Sequence, residues 1–258
     1  MTPALIFLHI PKCGGTTLTS ILTEAVPEGR RFSVDGRNVA ASRKVLATLP
    51  DAERQRIDLL LGHLSHGWHE LLAPRPARYF TIVREPVARV VSHYNYVRSH
   101  EGHYLHSAAV EGKMTLTDYV ESGITTEVND GQVRQISGAE DIVQAPYGPS
   151  TVGYGVDHGA LLEQAWENIE LHFLLVGLLE RFDESIRRLR RLTGLRIGPY
   201  RAKNVVPRTA ALTPTPNEAD VIRRYNRQDC ELYHRCKEGF DLGSGPVERL
   251  RRLLIGRS

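Results

Sequence analysis

The chain has 258 residues, a formal net charge of +3 and a hydrophobic fraction of 41%. That length allows one large α/β domain or two small ones with a substantial core. Acidic and basic residues are interspersed, so the charge pattern requires no nucleic acid partner and fits a small anionic ligand. No stretch approaches the roughly 20 apolar residues of a membrane span, so we expect no integral membrane segment.

The cysteines favour a reducing compartment. Cys13, Cys230 and Cys236 form neither a C-x-x-C motif nor an even set, which is typical of free thiols. Met1 stands almost directly before the first predicted strand, so we expect no signal peptide. These features predict a cytoplasmic protein.

The first predicted element is a buried strand from Leu5 to Ile10, which ends at Pro11. Residues 12–17 then read Lys-Cys-Gly-Gly-Thr-Thr, and apolar residues at helical spacing begin at Leu18. This order predicts a strand, a tight loop and the start of a helix. Such a turn directs backbone N–H groups and the positive end of a helix dipole at one place, which favours a bound phosphate or sulfate group.

The residue types of this loop suit an anion. Glycines let the backbone approach the ligand, threonines add hydroxyl donors and a lysine adds a mobile positive charge. The residues expected to bind are Lys12, Cys13, Gly14, Gly15, Thr16 and Thr17. The loop is not a Walker A sequence, in which the lysine follows the glycines. A strand-to-helix turn without a ligand is the alternative interpretation.

Two more buried strands are predicted in the first third of the chain. Ile57 to Gly62 forms the second, and Tyr79 to Val83 forms the third, which is rich in β-branched and aromatic residues. Residues 27–40 have the composition of a connection, and Asp51 is a candidate cap for a short helix. Pro86 is suited to the first turn of the helix that follows the third strand.

An arginine ends the third strand. Arg84 lies at the carboxyl end, where open α/β sheets bind their ligands, and Ser92 lies two turns into the following helix. A guanidinium and a hydroxyl from neighbouring elements can hold one phosphate group. The alternative is a surface pair of Arg84 with Glu85 and an ordinary helix serine.

Histidines follow the second strand. A neutral His63 at the strand end can accept a proton from a hydroxyl group, although a structural histidine is the alternative. His66 and His69 continue at a spacing of three, which raises the possibility of a metal site. No further Asp, Glu or Cys ligand accompanies them at ordered spacing, so we expect no bound metal.

The rest of the chain alternates between irregular and regular segments. Residues 100–155 are the least regular, and we expect them to line a ligand pocket with short helices and loops. The predicted elements are helices over 116–120, 161–171, 182–192, 217–240 and 247–254, a strand over 173–177 and a long loop over 196–217. Strands alternating with helices predict one α/β domain over residues 1–258, with a mainly parallel sheet and helices on both faces.

Two of these segments together resemble a known family. His-Ile-Pro-Lys before the glycines resembles the phosphosulfate-binding loop of sulfotransferases that use 3'-phosphoadenosine 5'-phosphosulfate (PAPS), although Cys13 stands where members usually carry Thr or Ser. Residues 81–94 resemble the 3'-phosphate motif of the same enzymes. The resemblance implies a P-loop-like fold, and it assigns the 3'-phosphate to Arg84 and Ser92.

The Gly-His-x-Ser pattern at residues 62–65 is similar to that of heparan-type 2-O-sulfotransferases, whose histidine is the catalytic base. That similarity gives the role to His63, while Lys12 is expected to stabilise charge on the leaving phosphate. Segments 129–138 and 174–185 also resemble the family, with Glu180 and Asp183 as scaffold residues.

The late basic loop resembles the one that closes over the nucleotide. From that loop, Arg201, Arg208 and Thr209 are expected to contact PAPS or its product PAP, adenosine 3',5'-bisphosphate. The expected partner is a small-molecule or carbohydrate acceptor with a hydroxyl group, and its pocket has tyrosine and histidine candidates. They are Tyr94, Tyr96, His103, Tyr104 and Tyr147. A magnesium-dependent P-loop small-molecule kinase and a non-catalytic nucleotide-binding protein are the alternatives.

Overall fold

The computed structural model describes residues 2–139, 154–201 and 212–243. Five strands of this part of the chain form one sheet. They are β1 (Ala4–Leu8), β2 (Arg31–Ser33), β3 (Leu59–Gly62), β4 (Ala77–Val83) and β5 (Phe173–Leu178). The strand order is β2-β3-β1-β4-β5, and each neighbouring pair is parallel. The predicted parallel α/β fold is therefore confirmed.

The helices surround this sheet. They are α1 (Gly15–Ala25), α2 (Val39–Thr48), α3 (Asp51–Arg54), α4 (Pro86–Ser99), α5 (His106–Val110), α6 (Leu116–Glu121), α7 (Gly131–Ser137), α8 (Gly159–His172), α9 (Phe182–Thr193), α10 (Pro216–Tyr225) and α11 (Arg227–Asp241). Single 3-10 turns occupy Glu28–Arg30, Trp68–Leu72, Thr126–Val128 and Leu179–Arg181. The short helices expected between residues 100 and 139 are present.

The strand order explains why helices cover both faces. The chain leaves β1 in one direction to reach β2 and moves in the opposite direction through β3, β4 and β5. Right-handed crossovers in opposite directions place their connections on opposite faces of the sheet. Strands β1, β3, β4 and β5 are buried almost throughout, as strands covered on both faces are.

Two predictions about elements were wrong. Residues 27–40 are not only a connection, because β2 pairs with β3 at the edge of the sheet. This strand has three residues and no alternating pattern, so no local pattern predicts it. The single helix predicted over 217–240 is two helices, α10 and α11, which meet at Asn226. The Asn226 side chain donates to the Val128 carbonyl and accepts from the Asp130 N–H. These bonds to a distant loop hold Asn226 at the junction where one helix ends and the next begins.

Buried apolar side chains form two clusters. The larger one fills the space around the sheet, and α1, α8, α9 and α11 contribute to it. The second cluster lies among α4, α5, α6 and α10, and includes Val90, Val97, Tyr119 and Ile222. Among the described residues, no helix combines the length and the apolar character that crossing a bilayer requires. The helix predicted over 247–254 lies outside the described residues.

Candidate active site

Three strand ends meet at one edge of the sheet. Strands β3, β1 and β4 are consecutive neighbours and run parallel, so the residues that follow them converge. The loop from His9 to Gly14 follows β1, His63 follows β3 and Arg84 follows β4. The structure thus brings together the three segments that the sequence singled out for chemistry, at the edge where parallel α/β sheets bind ligands.

The loop after β1 has the conformation of an anion-binding turn. Lys12 and Gly14 both adopt left-handed backbone angles, with φ of 67° and 76°. Helix α1 starts at Gly15 without a side-chain cap, and the first N–H groups of a helix have no partner inside it. The helix dipole and this start of α1 favour an anion at this position.

The two glycines of this loop are also required by packing behind it. A Cβ atom on Gly14 would lie 2.7 Å from Leu179 Cδ1, in addition to the strain of its positive φ. A Cβ atom on Gly15 would overlap the ring of His9. The glycines therefore let the loop pack against its own strand and against Leu179, a reason that the sequence did not reveal.

Cys13 supports the loop from the protein side. Its thiol is buried and lies 3.7 Å from both the Pro11 carbonyl and Gln132 Oε1, and its N–H donates to the Ile10 carbonyl. Burial raises the pKa of the Cys13 thiol to about 12. The expectation that Cys13 binds the donor is not supported by these contacts, because both of its donors point into the protein.

The threonines occupy the first turn of α1, as expected. Thr16 is exposed at the helix start, whereas Thr17 is buried. Their position places both backbone N–H groups among the first donors of the helix. Only the Thr16 side chain is open to solvent in this turn.

Lys12 is held close to an aromatic ring. Its Nζ atom lies 3.7 Å from the centroid of the Tyr96 ring on α4. Burial and the nearby charge of Arg84 lower the pKa of Lys12 to about 8, against a smaller opposing effect of Glu127. Lys12 therefore remains mostly cationic at neutral pH, beside the end of the loop.

The hydrogen bond of His63 sets the tautomer of its ring. Its Nδ1 atom lies 3.1 Å from the His9 carbonyl oxygen, which can only accept, so Nδ1 carries the proton and Nε2 carries the lone pair. The ring stacks on His9 with centroids 4.1 Å apart. Burial lowers the pKa of His63 below its usual value, so the ring is neutral at pH 7. A neutral ring with a free Nε2 can accept a proton from an acceptor hydroxyl.

Arg84 connects the β4 end to the loop. Its Nη1 atom donates to the Lys12 carbonyl over 3.1 Å, and burial lowers the pKa of its guanidinium. The remaining donors of the guanidinium fork are suited to an anion. Ser92 lies half-buried on α4, in the second turn after Arg84.

Two glutamines on α7 position these residues, and the sequence did not indicate them. The Gln132 amide accepts from the Arg84 N–H and donates to the Arg84 carbonyl, each over 3.0 Å. The Gln135 amide donates to the His9 carbonyl over 2.9 Å and to the Leu64 carbonyl over 2.7 Å. Helix α7 thus fixes all three strand ends through side-chain amides.

A buried carboxylate faces the same site. Glu127 Oε2 lies 2.8 Å from His93 Nε2, and His93 Nδ1 lies 3.0 Å from the Tyr119 hydroxyl. Burial alone would raise the pKa of Glu127, but His93, with His63 and Arg89, lowers it to about 2. The Glu127 charge in turn acts on His63 and Lys12. This residue lies in the irregular part of the sequence, where no pattern marked it.

Aromatic and imidazole rings line the side of α4 near Lys12. The contacts are Tyr96 to His100 at 3.8 Å, Tyr96 to His103 at 5.6 Å and His103 to Tyr104 at 4.7 Å between ring centroids. We call Tyr96, His100, His103 and Tyr104 the aromatic wall. Tyr94 instead belongs to the second apolar cluster, and its hydroxyl donates to the Met114 carbonyl. Tyr147 lies outside the described residues.

The late basic loop is only partly described. Arg201 is exposed, whereas Arg208 and Thr209 lie outside the described residues. The scaffold expectation for Glu180 and Asp183 agrees with their contacts. Glu180 accepts from the Glu85 N–H and the Tyr233 hydroxyl, and Asp183 accepts from the Tyr200 hydroxyl.

The histidine series divides in the fold. His63 remains at the carboxyl end of β3, while His66 and His69 turn away and approach His172. The sequence did not point to His172, because it lies far along the chain. The spacing of three therefore does not mark one three-histidine site.

Comparison with known families identifies one for this chain. The sulfotransferase family model matches residues 2–233. No curated protein matches the chain significantly.

Solved structures that are similar to the chain include two sulfotransferases. A sulfotransferase from Alicyclobacillus acidocaldarius has 14% identity and a TM-score of 0.43, with 90% of this chain and 94% of that chain covered. A mouse sulfotransferase, SULT7A1, complexed with PAP has 15% identity and a TM-score of 0.44, with 99% of this chain and 89% of that chain covered. The family match spans most of the sequence and includes each segment of the candidate site, so the chain belongs to the sulfotransferase family.

Proposed function

We propose that this sulfotransferase moves a sulfuryl group from PAPS to a hydroxyl group of a small-molecule or carbohydrate acceptor. The observation that carries the proposal is the hydrogen bond from His63 Nδ1 to the His9 carbonyl. It leaves a neutral Nε2 as the base at the sheet edge that also presents Lys12 and the start of α1. A base beside an anion-binding turn is the arrangement that in-line transfer to a hydroxyl requires.

The donor is expected to lie across the loop and α4. The N–H groups of the first turn of α1, together with Thr16, bind the phosphosulfate, and Lys12 contacts its bridging oxygen. Arg84 and Ser92 bind the 3'-phosphate. Arg201, Arg208 and Thr209 are proposed to close over the nucleotide from the late loop.

The reaction has one displacement at sulfur. The acceptor oxygen forms a bond to sulfur as its proton moves to His63 Nε2, and the bond from sulfur to the 5'-phosphate oxygen breaks. The leaving group is PAP, and Lys12 stabilises the negative charge that develops on its phosphate. Positioning and charge stabilisation then provide most of the rate enhancement, as in phosphoryl transfer. This scheme uses no metal ion.

The acceptor is proposed to bind against the aromatic wall. The rings of the wall, together with His63 as base, suit a sugar or an aromatic alcohol, because both have a flat or apolar face and a hydroxyl group. The interspersed surface charges support a small acceptor over a nucleic acid. Free cysteines support a cytoplasmic location, and the single family match supports one catalytic domain.

The direct test is turnover. The purified chain would be incubated with sulfur-labelled PAPS and a panel of sugars, phenols and lipid-linked sugars, and both PAP and sulfated product would be measured. We expect equal amounts of PAP and sulfated product, with unchanged rates in EDTA. Sulfated product is expected from at least one acceptor class.

The same experiment separates the alternatives. ATP consumption that needs Mg²⁺, without PAP formation, would indicate a P-loop kinase. Tight PAP binding without turnover of any acceptor would indicate a non-catalytic nucleotide-binding protein. No feature of the described site favours either one, since the lysine precedes the glycines and a neutral histidine faces the loop.

A further inference from the structure

Three histidines gather at the amino ends of β4 and β5. His66 and His69 belong to the connection between β3 and β4, and His172 is the last residue of α8, directly before β5. One ring nitrogen of each lies within 4.8 Å of those of the other two. The ring centroids are 4.6 to 4.9 Å apart.

The cluster rests on an aromatic floor that orients it. The His66 ring lies 5.0 Å from the Tyr79 ring and 6.4 Å from the Phe173 ring. The Tyr79 hydroxyl lies 3.1 Å from His69 Nδ1 and also accepts from the backbone N–H groups of Gly67 and His69. The hydroxyl contact to His69 Nδ1 fixes the orientation of that ring.

One nitrogen of this cluster lacks a partner. His66 Nε2 is buried and makes no hydrogen bond within the described part of the chain. A buried polar atom without a partner costs free energy, and such atoms in native proteins often mark an unseen ion or water. Its neighbours include the imidazoles of His69 and His172, whose lone pairs can bind the same cation.

We propose that His66, His69 and His172 bind one divalent transition-metal ion, with zinc as the expected species. Imidazole nitrogens suit zinc, copper and nickel, and three histidines with a water molecule complete a tetrahedral zinc site. Zinc–nitrogen bonds of about 2.1 Å place the ligand atoms roughly 3.4 Å apart. The cluster therefore needs side-chain movements of about 1 Å to close on an ion. This proposal replaces the expectation from sequence that the chain binds no metal.

The position of the site indicates a structural role. Tyr79, which contacts the cluster, lies four residues before Val83 on β4. At about 3.3 Å per residue, roughly 13 Å separates Tyr79 from the end of the strand where Arg84 follows. The cluster therefore lies toward the opposite end of the strands from Arg84. The ion would join the β3–β4 connection, which contains only the 3-10 turn Trp68–Leu72 as regular structure, to the α8–β5 junction. Stability should therefore depend on the metal, while the chemistry at His63 should not.

The test uses the full chain without a histidine tag, after treatment with EDTA and its removal. Zn²⁺ alone would be titrated by calorimetry, and Co²⁺ alone would be followed by its visible absorption. We expect one ion per chain, the absorption of tetrahedral Co²⁺, and an unfolding midpoint raised by roughly 5–10 °C at a hundredfold excess of free Zn²⁺ over Kd.

Variants identify the ligands. His69→Ala and His172→Ala are each expected to lose the stoichiometric ion. His234→Ala is the matched control, because this exposed histidine pairs with Glu238 on α11, and it should keep full binding. Wild-type protein without the Co²⁺ spectrum would overturn the proposal whether or not the variants fold. So would a sulfur-to-cobalt band, which would place the ion on a cysteine such as Cys230.

Discussion

The ammonium group of Lys12 lies 3.7 Å above the ring of Tyr96, so the loop after β1 contacts the α4 residue of the aromatic wall. A cation over a ring face gains about 0.5–1 kcal/mol at partly exposed sites. If Lys12 contacts the phosphosulfate as proposed, we expect Tyr96 to compete with the donor for the lysine.

Replacing Tyr96 should release Lys12. Tyr96→Leu is expected to tighten PAP binding by about 2- to 5-fold, which corresponds to the lost cation–ring contact. Tyr96→Phe keeps the ring face and should bind PAP like the wild type. Calorimetry with PAP measures both, and weaker binding of the leucine variant would show that the ring orients Lys12 for the donor.

Arg84 should distinguish nucleotides by their 3'-phosphate. Arg84→Ala is expected to weaken PAP binding by roughly 1.5–3 kcal/mol, the usual contribution of a hydrogen bond to a charged group. Adenosine 5'-phosphosulfate lacks the 3'-phosphate, so it should lose much less. Equal losses for the two ligands would instead attribute the effect to the broken bond between Arg84 and the Lys12 carbonyl.

Replacing His63 should lower the rate of the chemical step and leave the affinity for the donor nucleotide unchanged. His63→Ala is expected to lower kcat by about 10²–10⁴-fold, since a positioned base contributes that much. PAP affinity should stay close to the wild-type value, because none of the proposed donor contacts involves His63 or the segment after β3. His234→Ala provides the control for loss of an unrelated histidine. Full turnover by the His63 variant would contradict the assignment of the base.

The pH dependence of kcat/KM should be bell-shaped. The base must be neutral, and burial lowers the pKa of His63, so activity should rise with pH along a limb that lies below 6.5. Lys12 must be cationic, and its pKa is lowered to about 8, so activity should fall as pH passes about 8.

Two variants assign the limbs of this profile. Lys12→Arg keeps the positive charge at any accessible pH and should remove the alkaline fall. His63→Ala should flatten the acidic limb. An alkaline limb that survives in the arginine variant would belong to another group.

Gln132 should contribute to donor affinity by holding Arg84, although it does not contact the donor itself. Gln132→Ala removes both amide bonds to the Arg84 backbone, and it should weaken PAP binding by about 1–3 kcal/mol because the Arg84 position loosens. Gln164→Ala, on the exposed face of α8, is the matched control. A Gln132 variant that binds PAP normally would show that Arg84 is fixed by other contacts.

The candidate site residues that the sequence predicted lie in segments with distinctive local sequence patterns. His63 and Arg84 each follow an apolar run that predicts a buried strand, and a parallel sheet brings such ends together. Lys12 precedes a glycine pair between a strand and a helix. These patterns depend on neighbours within a few residues, which a sequence shows directly.

The residues that were missed act over long distances in the chain. Gln132 and Gln135 are ordinary polar residues on a short helix, and their roles appear only when α7 packs across the strand ends. The roles of Glu127 and His172 likewise depend on contacts with residues of other elements. Asn226 breaks a periodic helical pattern through bonds to residues 128 and 130, which no helix propensity anticipates.

The second apolar cluster has a consequence for how acceptor preference can change. Helix α4 begins next to Arg84 but packs Val90 and Val97 with α5, α6 and α10, and not into the cluster around the sheet. Repacking beneath α4 can therefore tilt the aromatic wall while β1, β3 and β4 keep their register. Lineages that share one donor site can in this way diverge in the alcohols they accept, through substitutions that no ligand ever touches.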